Sequence, residues 1–74
     1  MEFITVTSIG GSLWSFRKDR IEMVSKRFKF TPEELKNIPE LSERESCTII
    51  HLLGSEIDYF CQDSYESIME MINK

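Results

Sequence analysis

The chain has 74 residues, enough for one domain, and a domain of that size buries only about 60% of its unfolded surface, so oligomerisation or a partner is the expected source of added stability. Hydrophobic content of 41% and charged content of 30% exclude a disordered polymer, and a formal charge of −4 argues against nucleic acid, because phosphate recognition needs a cationic surface. There is no basic leader before an apolar run, no stretch of about 18 apolar residues, and only Cys47 and Cys61, too few for a disulfide framework; the expectation is a cytoplasmic protein without membrane insertion, its two thiols buried.

Taken in chain order, Phe3 to Ile9 alternates two sets of mostly β-branched or aromatic residues, which predicts a strand with both faces at least partly covered. Gly10 and Gly11 can take positive φ, and apolar alternation resumes at once, so the pair predicts a hairpin turn of the primed kind. Trp14 and Phe16 then share one face of a second strand and belong to the core. Arg17 to Arg20 is a polar corner, followed by a short third strand over Ile21, Met23 and Val24 that breaks at Lys26.

Residues 28–45 depart from this rhythm. Thr31-Pro32-Glu33-Glu34 combines an N-cap, proline at the first helical position and an acid three residues after the cap, which predicts a short helix carrying Leu35 and Ile38 on its apolar side. Pro39 disfavours helical geometry at the residue before it, leaving Glu40 to Glu45 as a charged loop or irregular turn. The stretch reads as an insertion between two strands, and long insertions of this sort are often functional.

Cys47 to Leu52 is extended again. A two-residue Gly54-Ser55 loop would set Leu52, Ile50 and Thr48 opposite Ile57, Tyr59 and Cys61 on one face, and His51 and Ile49 opposite Asp58 and Phe60 on the other. One face is core and the second is half apolar, so the insert or a second subunit should cover it. A helix capped by Asp63 follows, with Tyr65, Ile68, Met69 and Ile72 as its buried stripe and Met71 on the outer side. The fold class is therefore α+β: a small antiparallel β-meander of four to five strands, a C-terminal helix and a short helical insert.

The residues Ile4-Thr5-Val6-Thr7, Gly11, Trp14 with Phe16, and Ile21-Glu22, with Thr48, Ile50, Leu52, Gly54, Ser64 and Ile68 further on, resemble the FlbD or SwrD family of small bacterial flagellar proteins. The resemblance implies the meander-plus-helix scaffold and a non-catalytic accessory or regulatory role. That family commonly has Asn where Arg17 stands and joins the same strands by a short turn in place of residues 28–45.

No cluster specifies a reaction. His51, Cys47 and Cys61 are the only soft ligand set, and the strand register puts Cys61 on the face away from the other two, so no metal site or cofactor is expected. Gly10-Gly11-Ser12 lacks the lysine and helix of a phosphate loop, and no glycine-framed serine elbow occurs. What remains is a stripe of six basic residues, Arg17, Lys18, Arg20, Lys26, Arg27 and Lys29, against Asp19 and Glu22, a local charge of +4 that leaves −8 on the remainder. One reading makes it a solvated face pairing internally with Glu33, Glu34 or Glu43. The other makes Arg17, Lys18, Arg20, Arg27, Phe28, Lys29, Phe30, Leu35 and Ile38 a docking surface for a larger protein with an acidic or mixed surface. The alternative function is a phage-type inhibitor of a host system, or an oligomer that sequesters a small ligand between subunits.

Overall fold

The computed structural model describes residues 2–74. Five antiparallel strands form two sheets: a hairpin of β1 (Phe3–Thr7) and β2 (Leu13–Arg17), and a three-stranded sheet in the order β3 (Ile21–Arg27), β4 (Cys47–Leu52), β5 (Asp58–Cys61). The expected single meander is thus divided between β2 and β3, where a 3₁₀ turn over Lys18–Arg20 redirects the chain. Backbone bonds stitch the sheets together instead at β5, from Ile9 N–H to Phe60 O (3.1 Å) and from Gln62 N–H to Thr7 O (2.8 Å). The Gln62 carboxamide adds a third, donating to Ser8 O at 2.9 Å.

The alternation of β1 sorts its residues by face. Ile4 and Val6 are buried opposite Phe16 and Trp14, while on the other face Phe3 and Thr5 lie exposed and cover begins only at the half-buried Thr7 and the buried Ile9. The turn after it also differs from expectation: Ser8 O accepts from Gly11 N–H at 3.0 Å, and positive φ falls on Gly11 alone, whereas a primed turn needs it at the first central position. β3 runs on to Arg27, three residues beyond the apolar pattern, because β4 continues to pair with it through Arg27↔Cys47. A bulge between Ile21 and Met23 lies near its start.

The β4–β5 register is the one expected from a turn centred on Gly54-Ser55, with Thr48↔Cys61, Ile49↔Phe60, Ile50↔Tyr59 and His51↔Asp58. The connection is longer than two residues. Ladder pairing stops at His51 and Asp58, Ser55 N–H closes a turn onto Leu52 O at 3.1 Å, and Gly54 supplies the positive φ (74°) that a type II turn requires at its third position.

Each face of the three-stranded sheet has its own apolar cluster. Ile50 and Cys61 pack with Ile4, Val6, Phe16 and Ile68, joined by the partly buried Trp14, Tyr59, Met71 and Ile72. Cys47, Ile49 and Phe60 pack with Ile9 and Leu41, joined by Phe30, Leu35 and Ile38. The first cluster is closed by α2 (Tyr65–Ile72), which lies against β1 and β3. Met71 faces this cluster, contrary to its expected outward position. Ser64 caps α2 by accepting from Ser67 N–H at 3.1 Å; Asp63, expected in that place, accepts from Thr7 N–H at 2.7 Å and so fastens β1. Among the described residues no helix is long and apolar enough to cross a membrane.

The second cluster is closed by the insert. Its helix α1 (Pro32–Asn37) has the complete capping box, with Glu34 N–H donating to Thr31 Oγ1 (3.1 Å) and Thr31 N–H donating to Glu34 Oε1 (2.8 Å). A 3₁₀ turn over Pro39–Glu43 then lowers Leu41 into the cluster with no exposed surface at all. The insert is therefore part of the core, and of the two covers expected for this face it is the one the structure uses.

Candidate interaction surface

The basic stripe divides because β3 lies between its halves. Arg20 and Phe28 flank the strand, and at about 3.3 Å per residue the corner and the strand exit stand roughly 25 Å apart. At the corner, Arg17 forms a two-point pair with Asp19 at 2.9 and 3.1 Å. Lys18 Nζ donates to Glu2 Oε2 at 2.8 Å and to Lys74 O at 3.0 Å, and this lysine holds the Glu2 carboxyl below its ordinary range. Both cations are thereby committed, Lys18 to tying the two ends of the chain together. Arg20 is exposed, and it makes no ion pair among the described residues.

At the strand exit, Arg27 donates through both terminal nitrogens to the Glu34 carboxylate, one contact measuring 2.9 Å, and its guanidinium lies 5.6 Å from the centre of the Phe60 ring. The hydrogen bonds from Arg27, with the bond from Thr31 N–H, lower the Glu34 carboxyl below its ordinary value. Internal pairing with Glu34, one of the two sequence readings, is what Arg27 does. Phe30, Leu35 and Ile38 lie beneath the insert against the second cluster, so their apolar surface holds the insert in place.

That leaves a smaller exposed group than the sequence suggested. Phe28 stands 66% exposed just past β3, the Lys26 ammonium sits 5.4 Å from its ring centre, and Lys29 is exposed beside it. An exposed phenylalanine between two lysines without acidic partners is an apolar anchor with a cationic rim. Lys26 belongs to this group although its place in the stripe gave no sign of the ring contact. Only the extension of β3 to Arg27, which fixes the orientation of residues 26–28, brings the two together.

Two other features lie elsewhere. His51 Nε2 and Asp58 Oδ1 meet at 3.0 Å, as the register predicts, near exposed Met23, Leu53 and Ile57. A cleft of about 240 Å³ opens where the β1–β2 loop faces the insert, with Trp14 and Phe60 among its walls. No signal in the strand pattern marks this cleft, because it arises from the docking of the insert against the hairpin. Among the described residues no group of three or more His, Cys, Asp and Glu side chains could hold a metal ion. Set against known proteins, the chain finds no match to a family, to a characterised sequence or to a solved structure.

Proposed function

We propose that this protein is a non-catalytic interaction module that docks a larger protein, with Phe28 as the apolar anchor and Lys26 and Lys29 steering it onto an acidic surface. The observation that carries this reading is the exposure of Phe28 at the strand exit, while Phe30, Leu35 and Ile38 of the same insert pack against the second cluster. Exposed aromatics flanked by charges of one sign favour partners of the opposite sign, whose approach is accelerated and made salt-dependent. An accessory or regulatory role in a bacterial host is what the sequence resemblance to the FlbD or SwrD family implies for such a module.

The test compares wild type with Phe28→Ser and with Lys26→Glu combined with Lys29→Glu in pull-downs from the native host, with circular dichroism of each. The expected result is one partner held by wild type, lost with Phe28→Ser, and bound more slowly and with less salt dependence by the charge-reversed variant. Retention of every partner by both folded variants would place recognition elsewhere. The second reading, a protein that sequesters a small ligand, rests on the cleft beside Trp14, which lies within one chain and not between subunits as the oligomeric alternative required.

A further inference from the structure

The walls of that cleft come from three parts of the chain that are distant in sequence. Ile9 and Trp14 belong to the hairpin, Asn37, Ile38 and Glu40 to the insert, and Phe60 to β5. Four of these six are apolar or aromatic. Trp14 packs edge-to-face against Tyr59, with ring centres 5.3 Å apart at 83°. Glu40 is the one ionisable side chain on the walls, and no lysine or arginine lines the cleft to balance it.

An anion would meet the Glu40 carboxylate with nothing to offset it. Glu40 is exposed and its carboxylate stays hydrated, so a neutral apolar group would gain nothing from it. A ligand with one positive charge on an apolar body complements these walls: its ammonium would pair with Glu40, and its stem would lie against Ile9, Ile38 and the Trp14 indole. The volume of about 240 Å³ falls below the range of drug-sized pockets and equals roughly eight waters, the space of a single long side chain. The chain's net charge of −4 draws cations toward it.

We propose that this cleft binds a primary ammonium on an apolar stem, the chemistry of a lysine side chain or of a free alkylamine. Phe28 takes no part in the cleft, so the proposal stands or falls apart from the docking surface.

Trp14 is the chain's single tryptophan, so its fluorescence reports directly on the site. Hexylammonium is expected to change that emission in a saturable titration, hexanol to bind at least about fivefold more weakly, and hexanoate not to bind. Glu40→Gln, at an exposed position, should weaken hexylammonium about fivefold without altering the circular dichroism, as loss of a partly screened charge pair does. Phe28→Ser should leave the titration unchanged. A capped peptide with one lysine separates the sources: saturation at lower concentration than hexylammonium assigns the site to a partner's lysine, and at higher concentration to a free amine. Equal binding of hexanol and hexylammonium, an unaltered titration in Glu40→Gln, or no saturable change with any of these probes would overturn the proposal.

Discussion

Cys61 shows how a residue's chemistry follows from its place in the fold. Its side chain is fully buried between the three-stranded sheet and α2, and that burial, with smaller contributions from Cys47 and Asp63, pushes its thiol up to about 12. Burial also pushes the Cys47 thiol up. At pH 8 a thiol at about 12 holds on the order of a thousandfold less thiolate than a free cysteine near 8.5. We expect neither cysteine to react with a thiol reagent such as dithionitrobenzoate in the folded protein, and both to react at once in denaturant; rapid labelling of the native protein would show that the clusters open. The folded state keeps the Cys61 proton where the unfolded chain releases it, so its contribution to stability is complete below about pH 8.5 and is lost as pH rises toward 12. The sequence suggested two buried thiols from their number and strand positions, and the register placed them on opposite faces. Their depth could not be read there, because it depends on the insert closing one face and α2 the other.

At the scale of elements, most boundaries were legible wherever a local signal decided them. Thr31-Pro32-Glu33-Glu34 contains every group its capping box needs, and a turn centred on Gly54-Ser55 sets the β4–β5 register. Boundaries set by distant partners were not legible. β3 continues through Lys26 and Arg27 because β4 is there to pair with it, and Asp63 serves Thr7 of another strand instead of its own helix. Of the docking residues inferred from the sequence, Phe28 and Lys29 stand exposed at the strand exit; Phe30, Leu35 and Ile38 face the second cluster, and Lys18 binds the chain ends. The Arg27–Glu34 pair joins β3 to α1 and is open to a direct test. Glu34→Gln keeps an oxygen for the Thr31 N–H but loses the charge pair, which should cost about 0.5 to 1 kcal/mol at neutral pH. Since the folded Glu34 carboxyl lies below its ordinary value, the stabilisation is present above about pH 4.3 and is lost as pH falls through the lowered folded value. Urea unfolding of both proteins between pH 3 and 7 should show the wild-type advantage shrinking toward the acid end. A constant difference across that range would mean that Arg27 gains nothing from the charge of Glu34.

For the whole molecule, the sequence posed a problem of coverage: one sheet apolar on both faces, and one strongly amphipathic helix to cover it. A second subunit or the insert could have supplied the missing layer, and the structure uses the insert, so the described chain closes both clusters on its own. This reverses an inference from the flagellar resemblance. Because the family that the sequence resembles joins the same strands by a short turn, the insert looks dispensable, and its replacement by a Gly/Ser turn should leave a folded domain. With Leu41 wholly buried and Phe30, Leu35 and Ile38 packed around it, that replacement would instead uncover Cys47, Ile49 and Phe60 together. We therefore expect a chain in which residues 28–45 are replaced by a short Gly/Ser turn to lose cooperative unfolding and near-ultraviolet dichroism, or to regain a covered face only by self-association. Leu41→Ala is the graded form of the same experiment and should cost about 2 to 5 kcal/mol, a large part of the roughly 5 to 15 kcal/mol that holds a domain folded. A replaced chain that remains monomeric by light scattering and unfolds as cooperatively as wild type would show that the second face tolerates water, and would return the insert to the role of a purely external docking loop.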